Sequence, residues 1–154
     1  MNNKINVATA PKTSTFQIRI NPQVKEEAEN VLKIGDSCLE NNRFINKLYL
    51  EKVIKIGNSF LKWNTALKDY KMPNLKSVGD EFMEFNRGIK ILKLESLEII
   101  GDDFFSHNHT VKKVILPKAK IIKDSFLREN RCVIKITGLT KLFEKSIIYI
   151  GILY

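Results

Sequence analysis

Hydrophobic residues recur along most of this chain in five copies of one pattern, each copy 22 residues long. Every copy begins with isoleucine or valine, carries an apolar residue four positions later, and has an asparagine eight positions later. The copies start at Ile34, Ile56, Val78, Ile100 and Ile122, the phenylalanines are Phe60, Phe82, Phe104 and Phe126 with Cys38 in the first copy, and the asparagines are Asn42, Asn64, Asn86, Asn108 and Asn130. Such a strict period predicts a solenoid, in which each copy buries its apolar side against its neighbours.

Each copy also contains a short stretch in which apolar and polar residues alternate. In Leu92-Lys93-Leu94 two side chains point inward and one outward, which predicts a short strand. Stacking would line these strands up in parallel, so their outward residues would form one row on a sheet face. The inward column is Leu48, Tyr70, Leu92, Val114 and Ile136, and the outward row is Tyr49, Lys71, Lys93, Ile115 and Thr137.

The two most regular columns have structural explanations. A short amide in a tight bend can satisfy backbone groups that a coil leaves unpaired, so the asparagine column predicts a repeated turn. The phenylalanine column predicts core packing, because each ring can fill the space beneath the next. We therefore expect neither column to be a ligand site.

The repeat spacing L-x-x-L-x-L-P, followed by I-G and a later phenylalanine, resembles leucine-rich repeats of the bacterial BspA-like or treponemal type. The resemblance covers residues 34–143. It lacks one residue after the proline, and asparagine replaces the usual cysteine. The resemblance implies an α/β repeat solenoid: a leucine-rich-repeat stack of about five 22-residue coils with a parallel β-sheet. It also implies that the outward row lies on the concave face and binds a protein partner.

Residues 15–33 differ from the repeats and predict a strand followed by a helix. Phe16, Ile18 and Ile20 alternate with polar residues, as in a strand. Asn21 is suited to cap a helix whose first residue is Pro22, and Gly35 is suited to end it. A helix ending there could cover the first coil, so we expect a strand-helix cap.

The same segment resembles the start of RelB/DinJ-type antitoxins, whose strand ends in R-I-[ND]-P; here these residues are Arg19, Ile20, Asn21 and Pro22. The family pairs two such strands and lays them in the DNA major groove. By position, the resemblance implies DNA contacts from Thr15, Gln17 and Arg19. The second helix of that family has no counterpart here, because the chain passes directly into its first repeat.

The two ends carry weaker patterns. Residues 1–14 are polar and threonine-rich, which favours a disordered tail, and residues 144–154 are apolar, which favours either a strand folded over the last coil or a truncated repeat. We recognise no export signal and no apolar run of about 18 residues, so we expect a cytoplasmic protein.

Charge favours binding, whereas no residue pattern favours catalysis. The net charge is +9, with 26 lysines and arginines, which suits an acidic partner, although lysines also suit the solvent positions of a solenoid. His107 and His109 could suggest a metal, but a solvated turn explains them better. We therefore expect no enzyme, no cofactor, no metal and no small-molecule substrate. The sequence predicts a non-enzymatic protein–protein interaction module; the alternative is an antitoxin-like DNA-binding regulator.

Overall fold

The computed structural model describes residues 15–17 and 32–139. Within them the chain forms eleven short strands joined by turns. These strands are β1 (Thr15–Gln17), β2 (Leu32–Ile34), β3 (Lys47–Tyr49), β4 (Val53–Ile56), β5 (Asp69–Lys71), β6 (Ser77–Val78), β7 (Ile91–Lys93), β8 (Ile99–Ile100), β9 (Lys113–Ile115), β10 (Ile121–Ile122) and β11 (Lys135–Thr137).

The strands stack in two rows, and every pairing is parallel. One row is a continuous five-stranded sheet in the order β10-β8-β6-β4-β2. The other row consists of two three-stranded sheets, β1-β3-β5 and β11-β9-β7. Successive copies pair 22 residues apart, as in Lys47↔Asp69 and Ile91↔Lys113. The predicted solenoid of stacked parallel coils is therefore confirmed.

A third side of each coil is built from turns with an unusual backbone. Within residues 32–139, fifteen non-glycine residues have positive φ, and they fall in three columns, at the fourth, sixth and eighth residues of each copy. The N–H groups in these columns bond to neighbouring coils: Ser59 donates forward to Asp80 O (2.8 Å), and Leu61 donates back to Cys38 O (3.2 Å). Hydrogen bonds between coils thus hold this side together although it contains no strand.

The core lies between these three sides and runs the length of the described stack. The phenylalanine rings are buried and stacked, with centroids 5.5–5.7 Å apart. Their predicted role in the core is confirmed. Asparagine side chains bind the turns as predicted: Asn64 Oδ1 accepts from Ala66 N (3.1 Å) and Leu67 N (2.9 Å), and Asn108 Nδ2 donates to Phe105 O (2.7 Å).

A second polar column, which we call the Asp/Asn ladder, follows the glycines of the repeats. Each side-chain Oδ1 accepts a hydrogen bond from the backbone N–H one coil further on. Asn58 N, Asp80 N, Asp102 N and Asp124 N donate in turn to Asp36, Asn58, Asp80 and Asp102, at 2.7, 2.9, 2.8 and 2.8 Å. The repeat sequence contains this signal, because aspartate or asparagine occurs at this position in every copy.

Two expectations need correction. Residues 32–139 contain no helix, so the α/β description is reduced to a β-solenoid for the described part. The predicted helix was extended to Gly35, but Leu32–Ile34 is a strand that pairs with β4. Ile34 is buried opposite Ile56, and this long-range pairing outweighs the local helical pattern.

The remaining expectations about the chain ends fall outside the described residues. These are the tail at residues 1–14, the helix expected between Asn21 and Val31, the end of the fifth copy at residues 140–143, and the apolar segment at residues 144–154. No helix in the described part is long and apolar enough to cross a membrane.

Candidate partner-binding face

The outward row predicted from the sequence lies on the divided row of strands, which contains the sheets β1-β3-β5 and β11-β9-β7, and we call this surface the strand face. Backbone pairing places Tyr49 level with Lys71, and Lys93 level with Ile115. Thr137 continues the row beside Ile115. The structure therefore brings the five predicted residues onto one side of the stack, although the row is interrupted between Lys71 and Lys93.

Tyr49 is held in place by two residues of the next coil. Its hydroxyl donates to the Asp69 carboxylate, and Lys71 Nζ lies 5.4 Å from the centre of its ring. The hydrogen bond to Asp69 raises the pKa of Tyr49, and partial desolvation adds to this effect. Because the ring is already fixed, a partner could use it as an anchor with little loss of side-chain entropy.

The other groups on this face combine free cations with an apolar side chain. Lys93 pairs with Glu95 at 2.8 Å, whereas Lys68 and Lys71 form no ion pair within residues 32–139. Ile91 is 55% exposed. The face can therefore offer apolar contact together with the positive charge of Lys68 and Lys71, beside the acidic side chains of Asp69 and Glu95.

Between β5 and β7 the strand face contains a gap. No Cα atom of β5 lies within 8 Å of a Cα atom of β7, whereas paired strands lie about 4.7–4.9 Å apart. Tyr70 fills the base of this gap, and its hydroxyl donates to Ile91 O (3.1 Å) and accepts from Lys93 N (2.6 Å). We call the gap the Tyr70 slot; it is an open cleft of about 360 Å³ whose lining includes the lysines Lys68, Lys71 and Lys93, the acidic residues Glu51, Asp69 and Glu95, and Tyr70 and Ile91.

The slot explains why the predicted sheet is divided. Other coils carry leucine, valine or isoleucine in this inward column, and only the second copy carries tyrosine. The Tyr70 hydroxyl occupies the carbonyl of Ile91 and the N–H of Lys93, which a paired β5 would use, so the ring keeps β5 and β7 apart. Burial raises the pKa of Tyr70 to about 12, against the smaller opposing effect of the Lys93 N–H. The anomalous tyrosine was the sequence signal for this slot.

A second surface feature lies on the turn side and has no counterpart among the sequence expectations. Trp63, Phe85 and His107 occupy one column and stack face to face, with centroids 3.8 and 4.5 Å apart. Their spacing of 22 residues in the sequence could have predicted this column. Because the rings cover one another's faces, mainly their edges reach solvent. We interpret this column as packing between coils.

The charged groups beneath that column are internally paired. Lys62 Nζ lies 2.7 Å from Glu81 Oε1 and 2.9 Å from Glu84 Oε2, and His107 Nε2 lies 3.9 Å from Glu84 Oε1. Burial opposes protonation of Lys62, but the two glutamates raise its pKa on balance. Within the described ranges no three His, Cys, Asp or Glu side chains come together as metal ligands.

The candidate DNA-contacting residues are placed only in part. Thr15 and Gln17 belong to β1, which pairs in parallel with β3 at Lys47 and Tyr49. Arg19 lies outside the described residues. The N-terminal strand therefore continues the first sheet of the solenoid by one strand.

Comparison with protein-family models, with curated proteins and with solved structures finds no match to this chain. The two family resemblances of the sequence thus remain interpretations of its motifs.

Proposed function

We propose that the chain is a non-enzymatic protein-interaction module that binds an acidic protein surface through the strand face. The observation that carries this proposal is the fixed Tyr49 ring beside Lys71, with Ile91 and Lys68 exposed on the same side of the stack. A large amphipathic ring is typical of the residues that contribute most to protein interfaces.

The charge of the chain supports an acidic partner. A net charge of +9 would attract acidic surfaces over a distance and speed their encounter. At physiological ionic strength, salt largely screens such attraction between exposed groups that are more than about 8 Å apart. Binding through this face should therefore weaken as salt is added.

The leucine-rich-repeat interpretation is part of this proposal. It is supported by the buried columns, since Leu48, Leu92 and Leu94 are core residues, and by glycines where neighbouring coils approach closely. Proteins built from such repeats use the outward strand residues for binding, according to the resemblance. The same positions here are Tyr49, Lys71, Lys93, Ile115 and Thr137.

The test is capture of partners from a native lysate, with nuclease treatment in parallel, by the wild type and a Lys71→Glu/Lys93→Glu variant. We expect the variant to capture at least about tenfold less protein than the wild type, because two cations of the face become anions. The charge-matched control is Lys33→Glu/Lys55→Glu, which alters two exposed lysines on the other sheet. Equal loss in both variants would show only a general charge effect, and no loss in either would refute the strand face.

The DNA-binding alternative is tested in the same experiment. An antitoxin-like reader would need β1 to pair with a second copy through its outer edge, whereas its inner edge pairs with β3 as a cap on the stack would. Two results together would favour the DNA-binding alternative over the proposal. Capture of partners would be lost after nuclease treatment, and the DNA affinity of the chain would fall in Arg19→Ala.

A further inference from the structure

The Tyr70 slot places two unpaired strand edges opposite each other. No backbone hydrogen bond joins β5 to β7, although corresponding bonds join the neighbouring strands on either side, such as Leu50 N to Lys71 O (2.8 Å) and Leu94 N to Ile115 O (3.1 Å). The alternation of a parallel ladder directs the N–H and C=O groups of residues 91 and 93 toward the slot, and those of residue 70 toward it from the other side. Such edges are templates for another strand.

Tyr70 already makes the hydrogen bonds that a peptide would make there. Its hydroxyl donates to Ile91 O and accepts from Lys93 N, so one atom satisfies an acceptor and a donor on the edge of β7. A hydroxyl can be exchanged for the N–H and C=O groups of an entering chain with no change in the number of bonds made by β7. The opposite edge of β5 gains bonds in that exchange.

The width of the slot defines what can enter. One strand inserted between two others separates them by two ladder spacings, which is about 9.5 Å. The Cα atoms of β5 and β7 are already more than 8 Å apart. The side chain of Tyr70 and one hydrogen bond of 3.1 Å to Ile91 O span this distance, which is close to the width that one strand needs. A helix of about 10 Å diameter would not pair with the edges of the slot.

We propose that the Tyr70 slot accepts one extended segment of a protein partner, which adds a strand between β5 and β7. The inference rests on the proposed function, because the slot lies within the strand face. It assigns the partner a class, namely a protein that presents a strand-like segment, bound by β-augmentation.

The side chains beside the slot define the sequence of that segment. One outward residue of the segment would lie between Lys71 and Lys93, and the outward residue two positions away would lie between Asp69 and Ile91. Cross-strand neighbours favour opposite charge and apolar contact. We therefore expect an acidic residue at the first position and an apolar or aromatic residue at the second, with a small residue between them facing Tyr70.

The test is to select binders to the intact chain from a displayed library of random ten-residue peptides. The affinity of the selected peptides is then measured with a fluorescent label. We expect the selected peptides to share an acidic residue two positions from an apolar one. Their binding should protect the backbone amides of residues 70, 72 and 91 from hydrogen exchange. Failure to select such peptides, or protection elsewhere, would overturn the proposal.

Two substitutions of Tyr70 should change the peptide affinity in opposite directions. Tyr70→Phe removes the competing hydroxyl but keeps the spacer, so peptide affinity should rise by about tenfold. Tyr70→Leu restores the aliphatic column of the other coils, so β5 and β7 should pair directly and peptide binding should disappear. The control is Ser59→Ala, which removes a hydroxyl that donates to Glu81 on the turn side, away from the slot, and should leave peptide affinity unchanged. Equal affinity of the wild type and Tyr70→Leu would contradict the proposal.

These variants also separate this inference from the proposed function. Tyr70→Leu keeps Tyr49, Lys71 and Lys93 on the strand face. If it still captures the native partner while Lys71→Glu/Lys93→Glu does not, the strand face is the binding surface and the slot is not. If Lys71→Glu/Lys93→Glu captures the partner normally while displayed peptides still bind the slot, the slot inference stands and the proposed function fails.

Discussion

Single residues on the turn side adopt a backbone conformation that most amino acids avoid. Leu61, Met83 and Phe105 have φ of 53° in each case, and each side chain is buried. For residues with a Cβ, the left-handed region costs about 1–2 kcal/mol. Hydrogen bonds between coils offset this cost, since Met83 N donates to Phe60 O (2.8 Å) and Phe105 N to Phe82 O (2.9 Å). The conformation therefore depends on the presence of neighbouring coils.

Glycine in the repeats permits close approach between coils, so we expect substitution of Gly101 to destabilise the fold. A Cβ added to Gly101 would lie 2.4 Å from the carbonyl carbon and oxygen of Gly79, whereas one added to Gly35 would meet no atom within 4 Å. We expect Gly101→Ala to lower the free energy of unfolding by about 1–3 kcal/mol. Gly35→Ala serves as the control and should change it little. Denaturant titration measures both, and similar losses would contradict the close approach.

Some of these single-residue roles were visible in the sequence and others were not. Phe104 and Asn108 were predicted correctly, because a ring and a short amide repeated at fixed places have few other uses in a solenoid. The positive φ of Leu61 was not predictable, because leucine has no preference for that conformation. It is imposed by backbone pairing with the next coils, which a local pattern does not contain.

Among the elements, the strands were easier to predict than their pairing. The alternation in Leu92-Lys93-Leu94 identified β7 and its outward Lys93. The division of the sheet was missed, because Tyr70 fits the hydrophobic pattern as well as leucine does. What decides the outcome is the length of its side chain. Strand β2 was missed for a related reason, since its pairing with β4 is a long-range interaction.

The Asp/Asn ladder connects successive coils and predicts a dependence on pH. The backbone N–H of Asp102, and secondarily Lys123, hold the pKa of Asp80 below its usual value. The stabilisation is therefore complete above about pH 4 and is lost as the pH falls through the lowered pKa. Asp80→Asn keeps an oxygen that can accept the same hydrogen bond, as Asn58 does in the preceding coil.

We expect Asp80→Asn to be less stable than the wild type at pH 7 by about 1 kcal/mol or less, because the carboxylate is partly exposed. The difference should shrink as the pH falls below about 4. Thermal unfolding between pH 2 and pH 7 measures this change. The control is Glu51→Gln, since Glu51 forms no ion pair within residues 32–139. A difference for Asp80→Asn that is constant with pH would contradict the explanation.

For the whole molecule, stability should depend on the continuous stack of phenylalanines. Phe104 is fully buried between Phe82 and Phe126. Phe104→Ala should lower the free energy of unfolding by about 3–5 kcal/mol, against a total of roughly 5–15 for an ordinary domain. The control, Phe44→Ala, removes a ring that is 66% exposed and should have little effect.

Unfolding should also be a single transition, because each coil is stabilised mainly by its neighbours. The fluorescence of Trp63, stacked on Phe85, and far-ultraviolet circular dichroism should give the same denaturation midpoint. Two separated midpoints, or an unchanged midpoint in Phe104→Ala, would refute the stacking arrangement.

The constant distance along the chain between contacting positions restricts how such a protein can change in length. Asp80 bonds to the backbone of Asp102, and Asp102 to that of Asp124, in each case 22 residues further on. Inserting or deleting one residue would misalign the strands, the ladder and the stacked rings at the same time. Loss or duplication of one whole repeat would leave equivalent partners in register. Recombination can therefore lengthen or shorten this molecule by complete repeats, whereas smaller insertions are accommodated only where a loop leaves the stack.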